Sequence, residues 1–276
     1  MKELETFAYW ITEREKVRLL HDAGAPKPWS NDWVFQKTYF CNVHREDDKV
    51  TKWIRTNWNN PAELNYEFAM CVARLLNKPS TLASLGYPAE DVPRWIGRSV
   101  DVLRTMAGEG VTIWGNAYVV TTHGQKMDKL TYLEGLLRDL WEQVEPGLVD
   151  VRRQKTLAMA HYRLTLREGF GSFMAAQVVA DLKNTEGHAL QFAEDWWNWS
   201  AYGPGSLRGL AWVYGVPTTP RNYEELMKEL HPEIERLVYP IHMCEQDLQN
   251  CLCEFDKYMR VKTRTGRSKR KYNGQE

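Results

Sequence analysis

Glycines, an acid and an arginine that suit phosphate chemistry are concentrated between Gly169 and Gly209. The loop over 203–209 combines a glycine-rich backbone, whose N–H groups can approach an anion, with Arg208, whose guanidinium can bind an oxyanion through two hydrogen bonds. Asp195 precedes this loop, beside a cluster of tryptophans. The density of these residues predicts a binding or catalytic site.

A helical hairpin precedes the acid and the loop. Periodicity predicts a helix over 156–168, the turn Gly169-Phe170-Gly171 and a second helix over 172–182, which is the outline of a helix-hairpin-helix. Backbone N–H groups in such a turn and the N-terminus of the second helix can bind the same phosphate. In DNA glycosylases built on this hairpin, a catalytic aspartate follows after a short loop, as Asp195 does here. The structural alternative makes Asp195 a helix N-cap and the glycines an ordinary turn.

Basic residues are concentrated near the C-terminal end of a chain whose formal net charge is +0. Eight lysines and arginines and no acid fall within 257–272. Such a segment gains affinity for nucleic acid by releasing counterions from phosphates. The twelve tryptophans could stack on unpaired bases. A solvated tail, with tryptophans that pack in the core, is the alternative reading of the same composition.

Several protein classes are excluded by motifs that the sequence lacks. There is no Gly-x-x-x-x-Gly-Lys-Ser/Thr, no Gly-x-Gly-x-x-Gly after a strand, no His-Glu-x-x-His and no Gly-x-Ser-x-Gly. P-loop kinases, dinucleotide oxidoreductases, zincin proteases and serine hydrolases are therefore not expected. Five cysteines without a C-x-x-C pair predict reduced thiols and no zinc site or other metal centre. Without a long apolar run or a signal peptide, we expect a soluble intracellular protein with no membrane partner.

Helices have to position these residues, because apolar side chains recur at helical spacing through most of the chain. The sequence predicts an all-α, two-lobed fold of the helix-hairpin-helix DNA-glycosylase type; only 111–120 is typical of either a strand or a buried loop. Asn222 and Glu225 predict a capping box. The principal helices are predicted over 1–23, 65–76, 89–107, 129–144, 156–168, 172–182, 223–230 and 241–258. The expected divisions are an N-terminal helical lobe over 1–147, a hairpin-containing lobe over 148–258 and a basic tail over 259–276, or one compact unit.

Four short motifs occur in a specific order. They are Asn42-Val43-His44-Arg45 with Asp48-Lys49-Val50-Thr51, Gly171-Ser172-Phe173-Met174-Ala175-Ala176-Gln177 with Ala180-Asp181-Leu182, Gly203-Pro204-Gly205-Ser206 with Arg208-Gly209, and Cys253-Glu254-Phe255-Asp256-Lys257-Tyr258. Together they resemble the motifs of the phage thymine-hypermodification enzymes. This is the α-glutamyl/putrescinyl thymine pyrophosphorylase group, also described as amino acid:DNA transferases and related to the helical domain of phage 5-hydroxymethyluracil DNA kinases. The resemblance implies a fold related to helix-hairpin-helix glycosylases.

The resemblance also implies a reaction. Its substrate is 5-hydroxymethyluracil in double-stranded DNA, phosphorylated beforehand by a separate phage kinase. An amine from an amino acid or polyamine displaces phosphate or pyrophosphate and forms a C–N bond at the 5-methylene carbon, so no cofactor beyond this amine co-substrate is expected. The enzyme has to extrude the nucleotide, neutralise the departing phosphate and take a proton from the ammonium. The expected location is the cytoplasm of the infected bacterial host.

Candidate residues for these tasks come from the matched motifs and their surroundings, from the hairpin with the acid that follows it, and from the basic tail. The catalytic candidates are Asp195, Asp181 and Arg45. The substrate-binding candidates, which bind phosphate, pair with the uracil edge, hold the amine or stack on the base, are Asn42, Asp48, Tyr39, Gln177, Arg208, Ser206, Glu254, Asp256, Lys257 and Tyr258. The DNA-binding candidates are Gly169, Gly171, Ser172, Arg264, Arg267, Lys269, Arg270 and Lys271.

Two other functions stay open at this point. A DNA N-glycosylase would use Asp195 to stabilise an oxocarbenium ion at the sugar, whereas a non-catalytic DNA-binding module would need only the hairpin and the basic tail. In a glycosylase-like fold, the motifs around Asn42 and Lys257 have to fold back onto residues 169–209. We therefore predict that the four motifs converge on one basic, aromatic-lined cleft.

Overall fold

The structure is a computed structural model that describes residues 1–63, 65–89, 91–115, 120–122, 124, 126–142 and 148–266. Within these ranges it contains α-helices and short 3₁₀-helices and no β-strand, which confirms the all-α class. The α-helices are α1 (Leu4–Asp22), α2 (Trp33–Lys37), α3 (Lys49–Asn57), α4 (Tyr66–Leu76), α5 (Pro79–Leu85), α6 (Val92–Gly108), α7 (Lys129–Glu142), α8 (Val149–Arg152), α9 (Leu157–Thr165), α10 (Ser172–Lys183), α11 (Pro204–Tyr214), α12 (Tyr223–Val238) and α13 (Glu245–Lys262). None of them is long and apolar enough to cross a membrane.

Two local features differ from the sequence expectation, and a third follows one of its two alternatives. Residues 111–115 form a loop rather than a strand, with Ile113 buried, and residues 116–119 lie outside the described part of the chain. The predicted capping box is not formed, because Asn222 Oδ1 accepts from Thr219 N at 2.8 Å instead of capping α12. Helix α13 continues to Lys262, so the first part of the basic segment is helical.

The described chain divides into two compact units. The terminal unit comprises Met1–Asp48 and the described residues from Trp197 onward, and the central unit is Lys49–Trp196. This division differs from the expected lobes over 1–147 and 148–258. Its cause is long-range packing within the terminal unit, where α1 contacts α11, α12 and α13.

The terminal unit is built around α13. Phe7 on α1 and Phe255 on α13 are buried in its core, with ring centroids 4.9 Å apart. Helix α11 crosses α13 closely, because a Cβ at Gly209 would overlap the backbone of Leu252. A Cβ at Gly205 would lie 3.1 Å from Cys253 Sγ. The two glycines, one helical turn apart, thus bring the third motif onto the fourth.

The central unit contains the predicted hairpin. Helices α9 and α10 pack on each other, and α10 also packs on α4. The turn between α9 and α10 includes Gly169, whose φ of +75° favours glycine. A Cβ there would also lie 2.9 Å from the Leu136 side chain. Packing and backbone conformation therefore both explain this glycine.

Candidate functional site

The first part of the first motif, residues 42–45, lies along α13 in the terminal unit, whereas its last three residues, 49–51, belong to the central unit. Lys257 Nζ donates to the Tyr39 carbonyl oxygen at 3.1 Å, and Arg45 N donates to Asp247 Oδ1 at 3.0 Å. His44 Nδ1 lies 3.5 Å from Asp247 Oδ2, and this hydrogen bond raises the pKa of His44. Helix α13 therefore fixes the segment at both of its ends.

Arg14 on α1 holds the middle of the same segment. Its Nε donates to the Cys41 carbonyl oxygen at 2.9 Å, and its Nη2 donates to Asn42 Oδ1. Asn42 Nδ2 in turn donates to the Asp47 carbonyl oxygen at 2.9 Å. Both ends of the Asn42 amide therefore bind the protein, and pairing with a uracil edge would compete with these bonds.

The third motif begins α11. Ser206 is fully buried, and its Oγ accepts from Gly203 N at 3.0 Å and donates to Gly203 O at 3.1 Å. The hydroxyl of Ser206 therefore secures the first turn of the helix. Arg208, two residues further on, is exposed.

The exposed guanidinium of Arg208 meets a buried carboxylate of the fourth motif. Arg208 Nε donates to Asp256 Oδ2 at 2.9 Å, and Arg260 Nε donates to the same oxygen at 3.2 Å. Trp212 Nε1 lies 3.3 Å from the other oxygen, Oδ1. The side chain of Asp256 is 1% exposed, whereas those of Arg208 and Arg260 are 55% and 35% exposed. We call these three charged residues the Asp256 cluster.

The neighbouring residues of the fourth motif are differently engaged. Lys257 Nζ and Glu254 Oε2 form an ion pair at 2.6 Å. Tyr258 is buried against Phe35, and its hydroxyl donates to Asp32 Oδ2 at 2.8 Å. Burial and the Asp32 carboxylate raise the pKa of the Tyr258 phenol. Stacking on a base, as expected from the resemblance, would require this ring to leave the core.

Three of the four motifs thus meet on α13 within the terminal unit. The segment around Asn42 and the start of α11 each contact α13, the first through hydrogen bonds and the second through an ion pair. Tyr39 is partly exposed beside them, and Asp48 is exposed at the end of the first segment. The second motif belongs to the central unit.

Asp181 of the second motif is fully buried in the central unit. Arg74 on α4 donates to both of its oxygens, from Nε to Oδ2 at 2.5 Å and from Nη2 to Oδ1 at 2.6 Å. Arg55 Nη2 lies 3.5 Å from Oδ1. The side chains of Arg74 and Asp181 are 1% and 0% exposed, so this bidentate ion pair joins α4 to α10 in the interior. We call it the Asp181 pair.

Asp195 caps a helix that begins far from it in sequence. Its Oδ1 accepts from Leu157 N at 2.6 Å and its Oδ2 accepts from Ala158 N at 3.0 Å, at the start of α9. Next to it, the buried Lys183 Nζ lies 4.0 Å from the centroid of the Trp196 ring. The side chain of Asp195 is partly exposed. The structural alternative considered for Asp195, a helix cap, is what these contacts show, and its catalytic role stays a prediction.

The hairpin residues proposed to contact DNA lie at the start of α10. Gly171 and Ser172 are exposed, and a Cβ at Gly171 would have no neighbour within 4 Å. His161 Nε2 donates to the Ser172 carbonyl oxygen at 2.9 Å, and burial lowers the pKa of His161. Gln177 is partly exposed one and a half turns further along α10.

The basic segment is only partly described. Arg264 is exposed just beyond α13. The remaining candidates of the tail, Arg267, Lys269, Arg270 and Lys271, lie outside the described residues. Across the described ranges, no group of three or more His, Cys, Asp or Glu side chains is placed to hold a metal ion.

Sequence reasoning missed four residues that hold the candidates in place: Arg14, Arg74, Asp247 and Arg260. A signal existed for Arg74, because it is the lone charge in the otherwise apolar run 68–76, and a buried arginine requires an anionic partner. The spacing of Asp256 and Arg260, one helical turn apart, also predicts an ion pair. Nothing local distinguishes Arg14 or Asp247, whose partners are far away in sequence.

These features define an all-α protein with basic and acidic side chains gathered on one terminal helix. A family model described as the helical domain of 5-hmdU DNA kinase matches residues 1–268. The chain therefore belongs to this family, and is related to the modification of 5-hydroxymethyluracil in DNA. No curated protein and no solved structure matched the chain.

Proposed function

We propose that the protein is a transferase that acts on phosphorylated 5-hydroxymethyluracil in DNA. An amino acid or polyamine would displace phosphate or pyrophosphate and form a C–N bond at the 5-methylene carbon. The family match supports the base and the nucleic acid. The resemblance of the four motifs to amino acid:DNA transferases supports the type of reaction.

The observation that carries this proposal is the assembly of three motifs on α13. Residues from both ends of the chain are brought together there, and they supply the Asp256 cluster, the Lys257–Glu254 pair and the partly exposed Tyr39. Such an arrangement of guanidinium and ammonium groups suits the binding of phosphate oxygens. A phosphate-bearing substrate is what the proposed reaction requires.

The proposed transfer is a displacement at carbon. The lone pair of the free amine attacks the 5-methylene carbon, the bond from that carbon to the phosphate oxygen breaks, and its electron pair leaves with the phosphate. Arg45 and Lys257 are proposed to neutralise the leaving group. The ammonium form has to lose a proton before or during the attack, so a carboxylate is proposed to accept it.

Asp195 is favoured over Asp181 as this proton acceptor. A base has to reach the incoming ammonium, and Asp195 is partly exposed. Asp181 is fully buried and neutralised by the guanidinium of Arg74, whereas the oxygens of Asp195 accept from uncharged backbone N–H groups at the start of α9. The role of Asp181 in the proposal is therefore to hold α10, which carries Gln177 and the hairpin N-terminus, in place.

The direct test uses duplex DNA that carries phosphorylated 5-hydroxymethyluracil. The DNA is incubated with the purified protein and a panel of amino acids and polyamines, then digested to nucleosides for mass spectrometry. We expect a nucleoside whose mass corresponds to thymidine with an amine on the methylene carbon, together with release of phosphate or pyrophosphate. Abasic sites without amine incorporation would instead establish a glycosylase.

Variants of the predicted residues test the mechanism. We expect Arg45→Ala to lower the transfer rate by about 10²–10³-fold, as for the loss of one oxyanion donor. Asp195→Asn should lower it by roughly 10²–10⁴-fold, as for the loss of a general base, while its amide oxygen still caps α9. Arg236→Gln is the matched control, because Arg236 is exposed and forms an ion pair with Glu233 in the same helix. Unchanged rates in both test variants would remove Arg45 and Asp195 from the mechanism, whereas duplex binding without any transfer by the wild-type protein would favour a non-catalytic DNA-binding module.

The family match favours a second candidate function, that of a helical DNA-binding domain which serves phosphorylation of 5-hydroxymethyluracil. The 276 residues contain no P-loop motif, so the nucleotide site of such a kinase would have to be supplied by another domain or protein. Transfer of labelled phosphate from ATP to hydroxymethyluracil DNA by a P-loop kinase, measured with and without this chain, tests the alternative. Stimulation of phosphorylation without any amine incorporation would select it.

A further inference from the structure

The Asp256 cluster contains more positive charge than its buried carboxylate needs. One carboxylate is neutralised by one guanidinium, yet Asp256 accepts from both Arg208 and Arg260 through the same oxygen, Oδ2. Trp212 Nε1 lies against the second oxygen. The cluster therefore has one net positive charge, and both oxygens of the Asp256 carboxylate accept hydrogen bonds from the protein.

The two guanidinium groups are also oriented for a ligand. Each contacts Asp256 through Nε, the nitrogen nearest the side-chain stem, while the side chains of Arg208 and Arg260 stay 55% and 35% exposed. Both arginine side chains are therefore partly accessible to solvent while they are bound to the carboxylate. Terminal nitrogens of two neighbouring arginines can bind one phosphate from two sides, and the single net charge matches a phosphodiester.

The position of the cluster favours the phosphate of a polymer. Gly266 N donates to the Arg260 carbonyl oxygen at 3.2 Å, and a Cβ at Gly266 would lie 3.2 Å from Arg260 Nη1. The last described residue thus lies against Arg260. The chain continues from this point into the basic sequence Arg267-Ser268-Lys269-Arg270-Lys271, which lies outside the described residues. A row of further basic residues suits a chain of phosphates better than one small anion.

We propose that Arg208 and Arg260, anchored by Asp256, form a binding site for one DNA backbone phosphodiester. The inference rests on the proposed function for its choice of DNA as the ligand. Asp256 acts in it as a positioning residue, because it touches the two arginines rather than the DNA. The free phosphate group released by the transfer reaction shares the same oxyanion chemistry, and the experiment below distinguishes the two sources.

The test measures binding of a short unmodified duplex at a series of salt concentrations by fluorescence anisotropy. For Arg208→Gln and Arg260→Gln we expect a roughly tenfold loss of affinity, as for one charge-assisted hydrogen bond. The plot of log K against log salt has a negative slope, and its magnitude should decrease by about 0.9 in the double variant, because both arginines bind the same phosphate. Arg236→Gln, which removes a positive charge that is 66% exposed on α12, should leave affinity and slope unchanged.

Asp256→Asn separates positioning from net charge. Removal of a negative charge near DNA would by itself strengthen binding, whereas loss of the common anchor should weaken it, so we expect weaker binding. Thermal unfolding of each variant checks the fold. If Asp256→Asn does not fold, the two arginine variants and their double variant still decide the question.

Other results would overturn the proposal. These are a wild-type protein that does not bind the duplex, a double variant with the wild-type slope, a double variant whose slope changes by about twice 0.9, as for two separate phosphates, or tighter binding by Asp256→Asn. Binding of inorganic phosphate is measured separately by calorimetric titration. If the arginine variants bind phosphate more weakly but bind the duplex as the wild type does, the cluster binds the leaving group instead. Since no transfer is measured on unmodified DNA, failure here is distinguishable from failure of the transfer assay.

Discussion

Two buried aspartates, each bound by two arginines, occur in different units of this protein, and they differ in where their arginines lie. In the central unit, Asp181 is held by the buried Arg74 and approached by Arg55. In the terminal unit, Asp256 is held by the exposed Arg208 and the partly exposed Arg260. The same chemical groups therefore form a buried ion pair in one unit, which we call the interior lock, and a solvent-accessible pair of cations in the other.

The difference shows that burial of the carboxylate alone does not indicate function. A buried carboxylate has to be paired, and both aspartates satisfy this requirement. What separates them is the exposure of the partner. A buried arginine that forms bidentate hydrogen bonds with its carboxylate is neutralised in the interior. An arginine that is accessible to solvent and bound through Nε can still bind a ligand with its other nitrogens. The Asp181 pair should accordingly control stability, and the Asp256 cluster should control binding.

The largest expected effect is on the Asp181 pair. Asp181→Asn would leave the buried guanidinium of Arg74 without its anion, and we expect the free energy of unfolding to fall by about 3–5 kcal/mol, as for other broken buried ion pairs. Urea unfolding followed by tryptophan fluorescence measures the change. The double variant Asp181→Leu with Arg74→Met removes both charges and should recover part of the loss. A cost below about 1 kcal/mol, typical of exposed pairs, would contradict the interior lock.

A smaller loss is expected when the same substitution is made in the terminal unit. In Asp256→Asn both arginines can return to water, and the amide oxygen can still accept a hydrogen bond from Trp212 Nε1. We expect a loss of about 1–2 kcal/mol, comparable with one charged hydrogen bond. The measurement is the same urea titration. If Asp256→Asn costs as much as Asp181→Asn, the two clusters do not differ in the way that their exposure indicates.

Sequence alone identified many of the elements that carry these clusters. Helical periodicity placed α4, α7, α9, α10 and α13 to within a few residues, because their apolar faces are continuous. The pairing of the two ends of the chain in the terminal unit could not be predicted in this way. Helix α1 packs on helices that lie some two hundred residues further along, and local spacing carries no information about such a partner.

The candidate site was predictable by residue type but not by environment. Asp181, Asp195 and Asp256 were all selected from sequence, and each is engaged by donors in the structure. Which of them faces solvent depends on tertiary packing. Arg74, the partner that encloses Asp181, lies 107 residues away from it. A motif can therefore indicate that an aspartate is special without showing whether it stabilises the fold or serves a ligand.

A third carboxylate sharpens the comparison, because Asp195 is held by backbone donors rather than by arginines. Asp195→Ala removes the acceptor for Leu157 N and Ala158 N at the start of α9. We expect a loss of about 1 kcal/mol in the free energy of unfolding, as for other helix caps. Asp195→Asn should keep about half or more of the stabilisation that Asp195→Ala removes, because its amide oxygen still accepts a hydrogen bond. Equal losses in both variants would show that the carboxylate charge, rather than the acceptor, stabilises α9.

The smallest effects on stability are expected from the exposed arginines themselves. Arg208→Gln and Arg260→Gln each leave the other arginine on Asp256, so the carboxylate remains paired, and exposed ion pairs contribute about 0–1 kcal/mol. We expect losses within this range by urea titration, and the double variant should lose more than the sum of the singles, because only then is the buried Asp256 left without a guanidinium. Strictly additive losses would mean that each arginine stabilises the terminal unit independently. A greater-than-additive loss in stability, together with the salt dependence of duplex binding, would show that the two arginines share one anchor and remain available to the same ligand.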